Sequence, residues 1–550
     1  MTAIVSTPFR VVNAENFKED IAGSSVYVGI GKSDVWSTTT SDLTDASVPF
    51  TPQDRIDDLH EAYQNMIGMK KIASSDVSHI VPRHTWSTGT VYVAWDSDDS
   101  AIYDKSFYII TSEFKVYKCI SSPGTASTVE PTHINTDPTA ESDNYIWKYM
   151  YTITVTDSEK FLTTSYMPVV TQFDPVTATV NGAVSSSVNV TLDAGQNNEF
   201  IKVGQLVTGS GISGSVTVAT KPSATSITLS SAQSISDGVT LTFGRLADTD
   251  VNYANQTAQI NSKASSTAAG IERIEVTAGG SNYDAADVFT VTITGDGTGA
   301  TVVDAGVTVS SGAITAIALN AKGTDYTVAD ITITHNNASG GTAGSGATAR
   351  AVIAPPNGHG TDPVSELGAF YVAVNTQLSG SESGDLTVGN DFRQVTLIKE
   401  PKAFGSNATL TASTARVRKS LVLASGASLT GFAVDQIING SSSGAKAYLA
   451  EIDTTNKVLY YYQNSKTGYI PFVSGDTITG TLPSGGSAAL NTTSGTTWYG
   501  QATNGYGPEV AMNSGQILFL ENRAPINRSS SQIEDIKPVS YTHLTLPTKA

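Results

Sequence analysis

Residues 145–155 alternate strictly between two sets of side chains. Because successive side chains of a β-strand point to opposite faces, the alternation predicts a strand with one aromatic-rich face packed on a core. One face carries Tyr145, Trp147, Tyr149, Tyr151, Ile153 and Val155, and the other carries Ile146, Lys148, Met150, Thr152 and Thr154. Residues 107–110 and 114–120 show two further strand-like patterns. A rigid aromatic β-core of this kind is typical of a scaffold, and its residues are not arranged for chemistry.

The composition favours β-structure with many turns. Charged residues make up 15% of the 550 residues, against roughly 25% in an average soluble domain, and Gly, Ser and Thr take their place. Thr and Val suit strands and Gly suits tight turns, so we expect an α+β fold that is predominantly β. A chain of this length is also expected to form roughly three or four domains.

The charge and the cysteine content narrow the classes of function. The formal charge of -18 argues against binding to nucleic acid or to an anionic membrane, because both surfaces would repel the chain. Cys119 is the single cysteine, which excludes an internal disulfide framework and fits a reducing compartment. The N-terminus lacks a signal-peptide pattern, and no apolar run reaches the roughly eighteen residues that span a bilayer.

One convincing helix is predicted after residue 50, within a mixed α+β body that covers residues 1–174. Thr51 is the expected N-cap, Pro52 the first helical residue and Asp54 part of the first turn. The apolar stripe that should lie on the aromatic sheet consists of Ile56, Leu59, Tyr63, Met66 and Ile67. We therefore expect one main helix in this body, preceded by a polar segment and a short strand.

The composition changes abruptly after Pro175 and again at residues 355–363, which predicts β-modules inserted into the body. We call the inserted modules A (175–250), B (251–354) and C (408–509). The body is expected to continue at residues 355–407 and to end with strands in residues 510–537. The predicted architecture is thus an α+β body interrupted by all-β modules.

Module B contains an internal repeat. Residues 271–276, followed by Gly280 and Tyr283, recur as residues 314–319, followed by Gly323 and Tyr326, at a constant offset of 43 residues. Two copies are too few for a solenoid, which needs about three units to bury a continuous core. We therefore expect a compact β-domain made of two related units.

Six body segments, residues 26–36, 81–86, 116–119, 145–151, 392–401 and 515–533, carry a family resemblance. In this order they resemble the baseplate wedge subunit of T-even-type contractile-tailed phages, the family of the eighth tail gene product. The resemblance covers residues 1–174, 355–405 and 510–537, whereas the modules resemble β-modules in tail proteins of phages that infect marine bacteria. The residues selected as structural by this resemblance are Trp36, Pro82, Arg83, Trp86, Trp147, Arg393, Glu521, Asn522, Arg523 and Pro525.

The resemblance implies a structural protein without enzymatic activity. Members of this family form homodimers, contact other baseplate wedge proteins and help to couple the change in baseplate shape to sheath contraction. The implied location is the tail baseplate of the virion, with assembly in the host cytoplasm. The resemblance gives no catalytic residue, cofactor or metal site.

Residues 538–550 depart from the family pattern, which continues into a final apolar strand. This stretch contains Pro538 and Pro547, and two prolines so close together fit a strand poorly. It also resembles translated sequencing-adapter DNA. We therefore expect a non-native tail that does not pack on the body.

Two glycine-containing motifs match known catalytic or cofactor signatures. Residues 209–214 match the dinucleotide-binding G-x-G-x-x-G, and residues 440–444 match the elbow of serine hydrolases. Both signatures require a strand followed by a helix, and no helical pattern follows either segment. We therefore expect both to be turns.

Two polar groups have the residue types of a metal site but not the spacing. The cluster of Asp96, Asp98, Asp99 and Asp104 lacks the Gly and the terminal Glu of an EF-hand loop, so a solvated acidic turn is expected. His359 and Asp362 have no further ligands at a suitable spacing, which predicts a hydrogen-bonded turn.

A host-binding tail fibre or adhesin is the alternative function. Exposed β-modules on a scaffold often carry recognition, so the Gly/Ser/Thr-rich insertions would contact a host glycan. Both functions are compatible within one chain. A glycosidase, in contrast, needs two carboxylates that converge in a cleft, and the insertions hold few Glu.

Overall fold

The computed structural model describes residues 6–541 except residues 37–48, 50, 54, 172–174, 196–197, 199, 245, 247–249, 265–269, 339, 381, 383–384, 387, 425, 465, 474, 482–486, 490–508 and 530. It is 13% helix and 43% strand, with many antiparallel sheets, which confirms the predominantly β, α+β fold. No helix in the described part of the chain has both the length and the apolar character that a membrane crossing requires.

Three helices and eight strands lie in the described residues of the first part of the body. In chain order they are α1 Thr7–Gly23, β1 Val26–Gly31, α2 Ile56–Asn65, β2 Met66–Lys71, β3 Val77–Pro82, β4 Tyr108–Ile110, β5 Lys115–Ser121, β6 Thr139–Ala140, β7 Ile146–Thr152, α3 Val155–Phe161 and β8 Tyr166–Pro168, with short 3₁₀ helices at Ser74–Asp76 and Ile102–Asp104. Four of these strands form a sheet in the order β4-β5-β7-β6.

Strand β7 is buried on both faces. The aromatic side chains up to Tyr149 pack in one apolar cluster, whereas Met150 and Tyr151 both pack in another. The register against β5 shifts at this point, because Val116 pairs with Tyr151 and Tyr117 pairs with Tyr149. The bulge leaves Met150 as an extra residue and reverses the alternation. The predicted aromatic face is therefore correct up to Tyr149 and wrong from Tyr151 onward.

The prediction of one main helix is wrong. The longest of the described helices is α1, which buries Val11, Ala14 and Ile21 along one narrow face. So sparse an apolar stripe produces little helical signal in the sequence. Val155, predicted to continue the aromatic face of β7, instead begins α3 and is 72% exposed.

Helix α2 is shorter than predicted. It begins at Ile56 with Arg55 as its N-cap rather than Thr51, and Asp54 lies outside the described residues. Met66 and Ile67, predicted to lie on its apolar stripe, instead begin β2, which pairs antiparallel with β1. Pairing within the sheet therefore overrides the helical spacing of these two residues.

Module A forms one six-stranded antiparallel sheet. Its strands are β9 Val176–Thr179, β10 Val184–Thr191, β11 Leu206–Thr208, β12 Val216–Ser223, β13 Ser226–Ile235 and β14 Thr240–Phe243. Their order is β10-β13-β12-β11-β14-β9. Val176 in the first strand pairs with Phe243 in the last, so the two ends of the module lie side by side.

Module B begins with a helix, which corrects the expectation of an all-β module. Its elements are α4 Tyr253–Ala264, β15 Ile271–Ser281, β16 Phe289–Gly295, β17 Thr298–Thr301, β18 Val307–Ser310, β19 Ala313–Ile317, β20 Ala321–Thr324, β21 Ala329–His335 and β22 Ser345–Ile353, with a 3₁₀ turn at Asp304–Gly306. Six strands form a sheet in the order β16-β21-β22-β15-β19-β18, and β17 pairs with β20. Ile271 pairs with Ile353, so the first and last strands of this sheet region are also neighbours.

The sequence repeat of module B is also a structural repeat. Gly280 has a φ of +67° and Gly323 a φ of +68°, in the left-handed region that favours glycine. A Cβ at these positions would lie 2.7 Å from the Tyr283 ring and 2.8 Å from the Tyr326 ring. In each unit the Tyr hydroxyl accepts a backbone N–H, at 3.3 Å in the first and 3.4 Å in the second. Each unit therefore packs one Tyr closely against one Gly.

The remaining elements alternate between the body and module C. The body continues with α5 Pro363–Leu367, β23 Tyr371–Val374, β24 Thr376–Ser379, β25 Asp391–Lys399 and β26 Thr414–Arg416. Module C contains β27 Lys419–Val422, β28 Ile437–Gly440, β29 Lys446–Asp453, β30 Val458–Tyr462, β31 Thr477–Gly480 and β32 Ser487–Ala489, in the order β27-β30-β29-β28-β31-β32. The last body strands are β33 Gln516–Asn527, β34 Ile533–Ile536 and β35 Val539–Tyr541.

Distant segments of the chain form the central sheet of the body. Its order is β26-β2-β1-β25-β33, so β1 lies between β2 and β25. Strand β26 falls within the range predicted for module C but pairs with β2 of the body. The apolar side of this sheet shares a cluster with α1 and with β23.

The expectation that residues 538–550 do not pack on the body is wrong for their first part. Strand β35 pairs antiparallel with β23, and Val539 packs against a cluster that contains Ile80 and Phe161. Pro538 precedes the strand, where its missing N–H is tolerated. Residues 542–550 lie outside the described residues.

Candidate functional site

The predicted structural residues form two groups, and the first lies at one end of the central body sheet. The Trp36 indole Nε1 donates to the Arg523 carbonyl at 2.8 Å. The Arg393 guanidinium Nη1 donates to the Ser33 carbonyl at 2.6 Å, and its side chain is 4% exposed. Residues from β25, from β33 and from the segment after β1 are thereby joined. The structure thus places Trp36, Arg393 and Arg523 close together.

A buried ion pair lies beside Trp36. Lys32 Nζ is 3.0 Å from Asp34 Oδ2, with both side chains less than a tenth exposed, and lies 5.5 Å from the Trp36 ring centroid. From module C, Lys466 Nζ reaches Asp34 Oδ2 at 3.4 Å and donates to the Val35 carbonyl at 3.0 Å. Module C is thus attached to the body through a charged side chain at this site.

The rest of this first group lies on the edge strand β33. Gln394 Nε2 donates to Asn522 Oδ1 at 2.9 Å. Glu521 and Arg523 form an ion pair at 3.3 Å that is about a third exposed on each side. Pro525 is exposed, next to the register shift between Phe392 and Gln394 in the pairing with β25. A bulge accommodates proline because the residue has no ladder N–H to donate.

Pro82 and Arg83 begin the second group, at the end of β3. The Pro82 carbonyl accepts the Tyr108 hydroxyl at 2.9 Å. Arg83 Nη1 donates to the Thr163 carbonyl at 3.0 Å, and its backbone N–H donates to the Ser165 carbonyl at 2.8 Å. Arg83 therefore fixes the loop between α3 and β8 against the end of β3.

Trp86 and Trp147 lie on the aromatic side of the β4-β5-β7-β6 sheet. Trp147 stacks on Tyr145 with 5.6 Å between ring centroids, and Tyr92 meets it edge-on at 5.6 Å. Trp86 packs at the margin of this cluster and donates from Nε1 to Ser127 Oγ at 3.2 Å. Both tryptophans therefore pack on the aromatic side of this sheet.

A buried charged cluster joins the body to module B, and sequence reasoning missed it. Lys118 Nζ is 2.8 Å from Glu366 Oε2, and these side chains are 0% and 3% exposed. The Lys118 ammonium also lies 3.9 Å from the Trp95 ring centroid, a cation–π distance. His359 lies between the two chain regions, with Nε2 3.5 Å from Glu272 Oε2 of module B and Nδ1 3.9 Å from Glu366 Oε2.

The electrostatics of this cluster follow from burial. Burial lowers the pKa of Lys118, although Glu366 opposes the shift. Burial, together with the charge of Lys118, lowers the pKa of His359 to about 4, so the imidazole is neutral at pH 7. Burial alone would raise the pKa of Glu272, but the contacts with His359 and Lys322 hold it below its usual range. The Lys322 Nζ lies 2.7 Å from Glu272 Oε1, so each carboxylate has a nearby ammonium.

The turn predicted around His359 and Asp362 is present, because residues 356–357 and 359–360 form turns and the Gly358 N–H donates to the Pro355 carbonyl at 2.7 Å. Asp362 is the N-cap of α5, where its carboxylate accepts the backbone N–H groups of Val364 and Ser365. Glu366, one turn along this helix, faces Lys118 and His359 instead. The only sequence feature that pointed to this cluster is Lys118, which lies between Tyr117 and Cys119 in β5. A lysine at this position does not reveal which residue it pairs with.

A second contact holds helix α4 of module B against β7. Lys148 Nζ donates to the carbonyls of Ser262, at 3.0 Å, and of Thr136. Ser262 Oγ donates to the Tyr149 carbonyl at 2.8 Å. Burial lowers the pKa of Lys148 to about 8, with Glu366 opposing the shift. Helix α4 is therefore held against strand β7 of the body by hydrogen bonds that Ser262 makes with Lys148 and Tyr149.

The predicted solvated acidic turn is only partly correct, because Asp98 and Asp104 are exposed but Asp96, Asp98 and Asp99 form ion pairs. Arg350 of module B pairs with Asp96 and, at 3.3 Å, with Asp98. Lys105 pairs with Asp99. Within the residues that the structure describes, no group of three or more His, Cys, Asp or Glu side chains is placed to hold a metal ion. The cluster is thus a third polar contact between the body and module B.

The two motif matches are turns between strands, as predicted. Residues 209–214 connect β11 to β12, and residues 440–444 connect β28 to β29. In the second turn, Asp476 accepts the backbone N–H groups of Ser442 and Ser443 and the Ser443 hydroxyl. Both segments thus lie between two strands and lack the strand-to-helix context that the chemistry of each motif requires.

The comparison with known families bears on the N-terminal part of the body. Residues 3–125 match the family model described as bacteriophage T4, Gp8. This match supports the expected resemblance to the baseplate wedge family. The match spans under a quarter of the chain and includes Trp36, Pro82, Arg83 and Trp86. No curated protein matches the sequence at a significant level. The Gp8 family supports a structural role in the baseplate wedge.

Proposed function

We propose that the chain is a structural subunit of a phage tail baseplate wedge that acts as a homodimer. In this proposal its interfaces with other wedge proteins serve tail assembly and the triggering of contraction. The observation that carries the proposal is the match of residues 3–125 to the Gp8 family. The protein would reside in the tail baseplate of the virion, after assembly in the host cytoplasm.

The way in which the modules attach supports a mechanical role. A subunit that passes on a change in baseplate shape needs insertions that move with its body. Module B is attached through Glu272, whose Oε2 lies 3.5 Å from Nε2 of the buried His359, next to the Lys118–Glu366 pair of the body. Module C is attached through Lys466 at the buried Asp34. Buried ion pairs have strict geometry, so these contacts favour one arrangement of module and body.

The first experiment is the solution mass of the full chain by light scattering after size exclusion. A dimer is expected, and the dimer should then capture the wedge proteins of the same phage in a pull-down. A matched pull-down with module B alone as bait would show whether the body is required, provided that the isolated module is first shown to be folded.

Other outcomes would contradict the proposal in different ways. A trimer would contradict the homodimer and favour the fibre or adhesin alternative, in which the modules contact a host glycan. Binding on a glycan array would then identify the sugar. A chain that captures no wedge protein would contradict the wedge role itself, whatever its mass.

A further inference from the structure

A cavity lies where modules A and B meet the body. Its volume is about 550 Å³, which falls within the roughly 300–1,000 Å³ of small-molecule pockets. Helices α1 and α3 and strand β3 line it from the body, residues 202–206 line it from module A, and α4 lines it from module B. Cavities at boundaries between domains are frequent ligand sites.

Lys18, on α1, lies in the wall of this cavity. Its side chain is surrounded by other residues but keeps part of its surface open. The carboxylates that act on its charge belong to Asp157, Glu15 and Glu19, and all three line the same cavity. Because Asp157 comes from α3 and the other two come from α1, the Lys18 ammonium lies in the space between these helices, on the side of the cavity.

The three lysines in the described wall of the cavity differ in their partners. Lys160 Nζ lies 2.9 Å from Asp76 Oδ1, and Lys202 Nζ lies 3.5 Å from Glu19 Oε1. Lys18 Nζ has neither an ion pair nor a hydrogen bond within the residues that the structure describes. Burial lowers the pKa of Lys18, although the nearby carboxylates oppose the shift. A larger share of this amine is therefore neutral at a given pH than in an ordinary exposed lysine.

Two further titratable groups lie beside Lys18. Glu15 is three residues earlier on the same helix, a spacing that places both side chains on one face. Burial and the charge of Asp362 raise the pKa of Glu15, so it holds its proton to a higher pH than an exposed glutamate. His79 of β3 also lines the cavity, and burial, together with the charge of Lys18, lowers its pKa to about 3. The imidazole is therefore neutral and adds no positive charge beside the amine.

We propose that Lys18 is a modification site at which the ε-amine reacts with a small aldehyde that enters the cavity. The amine nitrogen attacks the carbonyl carbon, and a proton passes from nitrogen to the carbonyl oxygen to give a carbinolamine. Glu15 then donates a proton to the hydroxyl, which leaves as water, and the nitrogen returns a proton to the Glu15 carboxylate. The product is a neutral imine. This site is independent of the proposed wedge function.

Reductive trapping on the full chain tests the proposal. The protein is treated with acetaldehyde and cyanoborohydride at pH 7, and mass spectrometry of its peptides measures the alkylation rate at each lysine. Lys18 should react at least about threefold faster than Lys446, an exposed lysine of module C. This ratio should fall towards pH 10, where exposed lysines in general lose their protons. Glu15→Gln should slow the reaction at Lys18 but not at Lys446.

The remaining outcomes are also decisive. A rate at Lys18 that is equal to or below the rate at Lys446 at pH 7 would overturn the proposal. A dextran polyaldehyde is too large to enter the cavity, so it should alkylate Lys446 but not Lys18. Equal alkylation of both lysines by this polymer would show that the Lys18 amine lies outside the cavity. An unchanged rate at Lys18 in Glu15→Gln would overturn the role of Glu15 in the proton transfer.

Discussion

Strand β7 of the body and strand β21 of module B are both seven residues long, yet they bury their side chains differently. The five central residues of β7 are all buried, since apolar clusters cover both faces of its sheet. In β21, partly buried and exposed residues alternate, because the cluster of module B covers one face only. An antiparallel sheet tolerates either arrangement. The body is therefore stabilised mainly by its core, and the module by close local fits and polar contacts.

The largest expected effect comes from removing a large side chain of the two-sided core. Trp147→Ala should lower the free energy of unfolding by about 3–5 kcal/mol, because it leaves a cavity among packed rings. Ile333→Ala, on the partly buried face of β21, should have less than half that effect. Urea unfolding followed by circular dichroism measures both. Equal losses would contradict the contrast between the two strands.

The next test concerns the buried Lys118–Glu366 pair of the body, which lies next to the contact between His359 and Glu272 of module B. Lys118→Met should lower the free energy of unfolding by about 3 kcal/mol or more, because it leaves the Glu366 carboxylate buried without its ammonium. Lys118→Met combined with Glu366→Gln should recover most of this loss, since no charge of the pair is then left unmatched. Urea unfolding measures both variants. If the double variant is no more stable than the single one, the ion pair is not the reason.

The same junction should make stability depend on pH. The pKa of His359 is about 4 in the folded chain, below the ordinary value of about 6.5, so the unfolded chain takes up the proton first as the pH falls. The stability contributed by neutral His359 is thus present above pH 6.5 and is lost towards pH 4, by at most roughly 3 kcal/mol.

His359→Gln isolates this contribution, because glutamine does not titrate. The groups that face His359 are Glu272, Glu366 and Lys118, and they remain in the variant. The difference in unfolding free energy between the two proteins should change across this pH range. A constant difference would show that His359 does not gain its proton on unfolding.

The smallest effects should come from the repeat of module B. Gly323→Ala and Gly280→Ala should each destabilise the module by about 1–3 kcal/mol, because both positions are left-handed and a Cβ would meet backbone atoms. Gly346→Ala is the matched control, since it is also left-handed but has its nearest neighbour 3.8 Å away. Hydrogen exchange of module B measures all three. Unequal effects at the two equivalent glycines would contradict the structural equivalence of the units.

The parts of the fold that could be predicted are those that produce a recognisable residue pattern within a short stretch of the sequence. The β-strand at β7 and the repeat of module B were both predicted from the spacing of residues within the sequence. Helix α1 was missed because, among its residues with described side chains, only three are buried, and they lie along one face. The reversal at Met150 was missed because a bulge depends on the partner strand. Residues 37–48 and 490–508 lie outside the described residues.

The candidate site also contains residues that were selected from the sequence and residues that could not be predicted from it. Trp36, Arg393 and Arg523 were selected by resemblance, and the contacts among their segments depend on pairing between strands that are far apart in sequence. The cluster around Lys118 has no sequence signal, because its members come from β5, β15 and the region of α5. A buried charge is recognisable only once its surroundings are known.

The pairing of the first and last strands within the inserted modules bears on how the chain folds during synthesis. Strand β1 must wait for β25, since Val26 pairs with Lys399, and all of modules A and B is made in between. Both modules rely on pairings within their own ranges and are expected to fold first. Because Val176 meets Phe243 and Ile271 meets Ile353, each folded module brings its flanking segments close together. The body then closes a short effective loop, and the entropy lost in joining its distant strands is correspondingly small.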